Sequence, residues 1–290
     1  MKKWIFVLGL VLSFNANAWE ACGTDANGNT ANCEWQIENG ILSIRGTNGK
    51  GNIGSWYDNK NAPWKDQTSS VKGIEIDSSI KDLGDSAFSG MISQNSIKIP
   101  SGLEAVNGYA FRGITAPEII IPDTVKKLEY ASFDWSHIDR LNIPDSVETI
   151  DIAFRGGTFK DIIIPNSVTS IADLALSWCE IETLTIGEDT KFGAIFKPEV
   201  EGEPLTDTSR IKIYCIGDTD KCDKNLDDAG YPELKSMKAT TKEINGVQYV
   251  LDAKGNIAAH FGSRTEKRIY TIDEANQVAG KTNRVSIRYR

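Results

Sequence analysis

The side chains able to do chemistry are few, and their spacing suits little of it. His137 and His260 are the only histidines in 290 residues. Neither belongs to a ligand-like spacing, so a histidine-based metal centre is not expected. Ser136 precedes His137, but both fall in a bend between Phe133 and Ile138, and no Gly-x-Ser-x-Gly elbow occurs to expose an activated serine. Gly280-Lys281-Thr282 resembles the end of a phosphate-binding loop, yet Ala275 stands where the first glycine would be. Gly280 is better explained as the end of a short helix that opens with a capping box at Thr271 and Glu274.

Asp25, Asn27 and Asn29 have the alternating oxygens of a calcium loop, as do Asp218, Asp220 and, less regularly, Asp223. The first set lacks the glycine at its sixth position and the acid at its twelfth, so both read as disulfide-stapled turns. A glycosidase needs two carboxylates across a cleft. With 40 Asp and Glu such a pair can always be imagined, and no spacing singles one out. The expectation is no catalytic residue, no metal and no cofactor.

The cysteines point to export. Residues 1–18 carry Lys2 and Lys3, an apolar run from Trp4 to Leu12 and a small-x-small site at Ala16-Asn17-Ala18, which reads as a secretory signal peptide. Trp19-Glu20-Ala21 before Cys22 does not fit a lipoprotein signal, and the mature chain carries no second apolar run long enough to span a bilayer. The exported protein is therefore expected to be secreted, displayed at the surface or periplasmic. Disulfides are permitted there. Local pairing joins Cys22 to Cys33 and Cys215 to Cys222, the second pair bracketing a Gly-Asp-Thr-Asp turn. Cys179 is left as a buried thiol. A net charge of −8 argues against nucleic acid, since phosphate binding depends on Lys and Arg. The stretch Arg264 to Arg290 is modestly basic.

What would position any such residue is a repeat. Ile-Pro recurs at Ile99-Pro100, Ile121-Pro122, Ile143-Pro144 and Ile164-Pro165, about every 22 residues, with Ile76-Asp77 and Ile186-Gly187 as degenerate copies. After each comes an apolar pair three apart, then a small residue and a large one. The sets are Ile80/Leu83 with Ala87-Phe88, Leu103/Val106 with Ala110-Phe111, Val125/Leu128 with Ser132-Phe133, Val147/Ile150 with Ala153-Phe154 and Val168/Ile171 with Ala175-Leu176. Such a period marks a stacked solenoid. The alternation in Ile97-Lys98-Ile99 and its copies predicts a strand whose outer two residues point inward, stopped by a proline that has no N–H to donate. One repeat buries too little to offset the ordering of its own backbone, so the array must be continuous and capped at both ends.

The predicted fold is a β-rich solenoid of about 22 residues per coil with short helical turns, an N-terminal β cap and a small C-terminal α+β segment. The divisions are 1–18, 19–72, 73–216 and 217–290. In the first cap, Glu34 to Ile37 and Ile41 to Arg45 form a hairpin about Asn39-Gly40. Beyond a break from Lys191 to Arg210, Ile211 to Ile216 resumes as a strand. Glu243 to Phe261 is a second hairpin turning at Asp252 to Asn256, and Arg284 to Tyr289 is a terminal strand.

The unit Ile-Ile-Pro-Asp/Asn-Ser-Val-x-x-Ile followed by Ala-Phe, with Trp56-Tyr57-Asp58 through Ala62-Pro63-Trp64, resembles the BspA-like leucine-rich repeat proteins of bacteria over roughly residues 35 to 190. The resemblance implies a secreted or surface-displayed solenoid, some members binding host matrix proteins or other bacteria, and no catalytic residues. It departs at Ala175-Leu176, which lacks the Phe, and at Ser136 and Gly157, where looser coils are expected.

Two outward columns follow from the register. One is Glu75, Lys98, Ile120, Asn142, Ile163 and Thr185; the other is Gly73, Ser96, Glu118, Arg140, Asp161 and Thr183. Apolar Ile120 and Ile163 beside Asn142 and Arg140 have the mixed character of an interface centre, although strand propensity also accounts for the β-branched residues. The candidate contact set is Lys98, Glu118, Ile120, Arg140, Asn142, Ile163 and Thr185, meeting an extracellular or envelope protein or glycan. The alternatives are a secreted hydrolase whose repeats present a module near residues 215–290, and a periplasmic assembly protein docking through its basic end.

Overall fold

Strands form where the repeat alternates and stop where it offers proline. The computed structural model describes residues 19–47, 51–56, 61–197, 206–244 and 247–261. The signal-peptide reading, the helix and strand expected after residue 270, and the basic segment from Arg264 lie outside these residues. Thr115–Ile120, His137–Asn142 and Thr158–Ile163 each end just before an Ile-Pro, or an Asn142-bounded Ile143-Pro144, and pair in parallel one coil apart. Ile97–Lys98 precedes them, and Glu180–Gly187 and Lys212–Ile216 follow. The inward positions Ile97, Ile119, Leu141, Ile162 and Leu184 are fully buried.

A second wall comes from the apolar pair three apart. Ala105–Val106, Lys127–Leu128, Thr149–Ile150, Ser170–Ile171 and Lys191–Phe192 form a parallel sheet of two-residue strands. Its last member shows the coil continuing past the sequence break at Lys191. The third wall is made of turns tied coil to coil: Phe88 N–H donates to Ala110 C=O, Phe111 N–H to Ser132 C=O and Phe133 N–H to Ala153 C=O, at 2.8–2.9 Å.

The large residue of each repeat fills the interior as a continuous stack. Phe88, Phe111, Phe133 and Phe154 lie 5.3, 5.5 and 5.8 Å apart between ring centroids, and Trp64 extends the stack into the N-terminal cap at 6.2 Å. Trp35 and Trp56 meet Trp64 edge-on. The space left by Gly157 is occupied by Phe159, whose ring a Cβ at that glycine would approach to 2.3 Å. That coil is therefore filled from a different position rather than loosely packed.

At the N-terminal end Cys33–Glu38 and Ile41–Gly46 form the expected hairpin. Asn39 (φ 52°) and Gly40 (φ 80°) give it the left-handed pair that a two-residue turn requires. Ile41–Gly46 then pairs in parallel with Gly73–Ile76 and passes the sheet on to the solenoid.

Both disulfides form, Cys22–Cys33 and Cys215–Cys222, and Cys179 is a buried free thiol. The segment between Cys215 and Cys222 is more than a turn. Asp218 accepts the Asp220 N–H at 3.0 Å and caps a helix, Thr219–Asp228, which buries Cys222 and Leu226 one turn apart. After it, Met237–Ile244, Val247–Asp252 and Ile257–Phe261 continue the long-strand sheet, the last two joined by the hairpin turn expected at Asp252 to Asn256.

Candidate binding surface

The long strands point their second column away from the core, and there Lys98 is exposed while Ile120 and Asn142 are half-buried. Further along, the column is covered. The last three strands curl back over the outer face, so that the final one lies against His137–Asn142. Ala239 and Val250 bury Ile163, with Tyr214, Ile216 and Ala258 packed around them. Ile163 is 2% exposed and Thr185, between Ile163 and Tyr214 in the ladder, is fully enclosed. Neither faces solvent as expected: an apolar strip of Ile163, Tyr214 and Ile216 is what a C-terminal hairpin with its own apolar face must cover.

Glu118 also leaves the candidate set. Its side chain is 2% exposed, accepts the Ser96 hydroxyl at 3.0 Å and pairs with Arg140, itself largely covered, at 3.8 Å. Asp161 continues this ladder beside Arg140. Burial pushes its carboxyl up to about 6, against the hydrogen bond from Thr183 and with Glu182 adding to the rise. The column is a covered polar seam rather than an open contact surface.

The open surface lies at the starting ends of the same strands. Thr115, His137, Thr158 and Glu180 stand in register across four coils. Around them is a groove of about 1020 Å³, walled by Ile92, Pro117, Asp139, Lys160, Trp178 and Glu182 and closed by Thr206, Asp207, Arg210 and Lys212. Among the described residues, none of those lining it comes from the covering strands. Ile92 is 59% exposed. The charges nearly balance, and two pairs neutralise each other locally: Lys160 with Asp139 at 3.1 Å and Arg210 with Asp207 at 3.5 Å. His137 opens a strand at this groove and does not sit in a bend; its N–H donates to Ile114 C=O at 2.7 Å.

At the groove's edge the repeat departs from itself. The position two residues after the stacked large side chain is Gly90, Gly113, Trp135, Gly156 and Trp178 in successive coils, all with positive φ. Trp135 is half exposed, and its ring lies 6.3 Å from that of Trp178, 19° from parallel. Aligning the repeats shows two tryptophans in a glycine column, a signal that composition and spacing motifs pass over.

The acidic turns are used structurally. Asp25 accepts the N–H groups of Asn27, Asn29 and Ser55, and its carboxyl is held below the usual range by those bonds despite the opposing effect of burial. Asp223 accepts from the Ser236 N–H and hydroxyl. Among the described residues no three His, Cys, Asp or Glu gather closely enough to hold a metal ion. No helix among them is long and apolar enough to cross a membrane.

The coil geometry agrees with a family comparison: the model of the BspA type leucine-rich repeat region matches residues 66–182 in six copies. These coils are BspA-type leucine-rich repeats. No curated protein matches the chain. Two solved structures do. A leucine-rich repeat protein from Eubacterium ventriosum is 12% identical, with a TM-score of 0.37 over 78% of this chain and 47% of its own. The pneumococcal vaccine antigen PcpA is 17% identical, with a TM-score of 0.41 over 77% of this chain and 53% of its own. The chain thus spans about half the length of the structures it matches. The BspA-type repeats supply the strand-start groove, and the tryptophan pair is set into their turn side.

Proposed function

We propose that this is a non-catalytic binding protein working outside the cytoplasm, whose repeats offer the strand-start groove to a protein or glycan. One observation carries the reading: an open, charge-balanced groove crosses four coils, flanked by exposed Ile92 and by Trp178, while the rest of the repeat is consumed by packing. Concave surfaces with a few apolar anchors among convergent polar groups are where ligands bind. Two disulfides support an oxidising compartment. The uncovered remainder of the outward column, Lys98, Ile120 and Asn142, is proposed as a lesser contact beside it.

The test is capture of the purified protein on extracellular matrix proteins and glycans, with Thr158→Arg filling the groove. The reading expects a specific partner whose binding falls at least tenfold in a variant that melts like the parent. Undiminished binding by the folded variant would remove the groove from the account.

A further inference from the structure

Trp135 and Trp178 occupy a glycine position in the glycine conformation, at φ +57° and +58°. That backbone state is unfavourable for a residue with a Cβ, but it recurs in these turns at Ser86, Tyr109, Ala131 and Leu174, so what sets Trp135 and Trp178 apart is a large ring at a glycine position. Burial does not compensate at Trp135, since half of it stays in water. The fold nevertheless braces it. Trp135 N–H donates to Arg155 C=O at 2.7 Å, and the Arg155 guanidinium donates twice to buried Asp134, at 2.9 and 2.8 Å, and once to the Tyr130 hydroxyl at 3.0 Å. Gly156, in the coil between, leaves room for the ring: a Cβ there would meet three of its atoms at 2.5–2.7 Å. Trp178 is anchored by its N–H to the Thr206 hydroxyl at 2.9 Å, and Trp178 and Thr206 line the groove.

We propose that Trp135 and Trp178 are the stacking platform of a site for a neutral oligosaccharide that continues into the groove. The proposal rests on the binding-scaffold reading and names its ligand class. A pyranose ring offers one face of C–H groups that settles on an indole, while its hydroxyls need both donors and acceptors. Both line the groove together with Trp178: Glu180 and Glu182 supply acceptors, and Lys160 and Arg210 supply donors. Balanced charge gives a polyanion no net attraction. Ile92, Ala116, Pro117, Ile138, Phe159 and Ile181 also line the groove, so a peptide with apolar side chains is the competing occupant that the matrix-protein arm of the test separates from a sugar.

The experiment presents the full-length protein to immobilised neutral hexose and N-acetylhexosamine oligosaccharides, with heparin fragments and matrix proteins alongside. Trp135→Gly restores the repeat's own residue, so it should fold with an unchanged or higher Tm, and Trp135→Tyr keeps a flat ring. The expected result is binding to a neutral oligosaccharide with a change in tryptophan emission, at least tenfold weaker in Trp135→Gly, partly kept in Trp135→Tyr, and no stronger binding to heparin. The proposal is overturned if no neutral oligosaccharide binds, if Trp135→Gly binds equally well, or if Trp135→Gly melts well below the parent, which would make the ring a structural element. Binding to a matrix protein without any sugar would sink the oligosaccharide and leave the scaffold reading standing.

Discussion

Val250 packs on Ile163, and this contact closes the outer face of the solenoid towards its C-terminal end. A residue that the repeat register points towards solvent becomes the centre of a second small core. The C-terminal strands therefore belong to the stability of the array as well as to its end. Ile163→Glu should unfold the hairpin from the outer face or destabilise the protein by about 3 kcal/mol, the scale of an unpaired buried charge. Val250→Ala should cost about 1–3 kcal/mol by leaving a cavity. Denaturant unfolding checks both, and a stability change within error for Ile163→Glu would mean the face is open in solution.

The phenylalanine stack makes a prediction about cooperativity. Phe133 touches a ring above and a ring below, so Phe133→Ala should cost about 3–5 kcal/mol and weaken the coupling between coils. A broadened or two-step unfolding transition is the expected signature. A single transition displaced by less than about 1 kcal/mol would contradict the stack's role.

Asp161 gives the pH dependence a sign. Its carboxyl titrates near 6 when folded and near 3.8 when free, so the folded state holds the proton more tightly. The contribution is fully favourable below pH 3.8 and is lost as pH rises through 6. Asp161→Asn should therefore gain about 1–3 kcal/mol over the parent at pH 7, and the difference should shrink to nearly nothing by pH 4. Urea unfolding of both proteins across that range measures it, and a loss of stability at pH 7 would show that the charge is held favourably.

Cys179 should be inert. It is enclosed, its thiol donates to Phe154 C=O at 3.0 Å, and burial pushes its pKa up to about 12. A thiol reagent at pH 8 should leave the folded protein unmodified and label one cysteine once denaturant is added. Rapid labelling of the native protein would show that this thiol, in the wall of the groove, is open to solvent.

The repeat was readable because its cause is local. Ile-Pro, the apolar pair and Ala-Phe recur in phase, and each meets its own copy in the next coil, so the inward residues from Ile80 to Leu176 followed from spacing alone. The cover on Ile163 was not readable, because nothing near Ile163 says which distant strand will lie on it. The helix Thr219–Asp228 was hidden by its polarity: only Cys222 and Leu226 are buried, and the Asp218 cap looked like part of a calcium-like loop. Trp135 and Trp178 were visible in the glycine column, but a tryptophan in a sequence does not reveal whether it is core or exposed. The groove arises from strand starts aligned across coils, and it has no motif of its own.

The most direct test of the central claim, that partners meet the strand-start groove rather than the outer face, is site-specific photo-crosslinking from His137 and from Lys98 in the presence of a captured partner. Both positions are exposed, one in the groove and one on the outer column. The account predicts a cross-linked product from position 137 and little or none from position 98. A product from position 98 alone would contradict it and return the binding surface to the outward column.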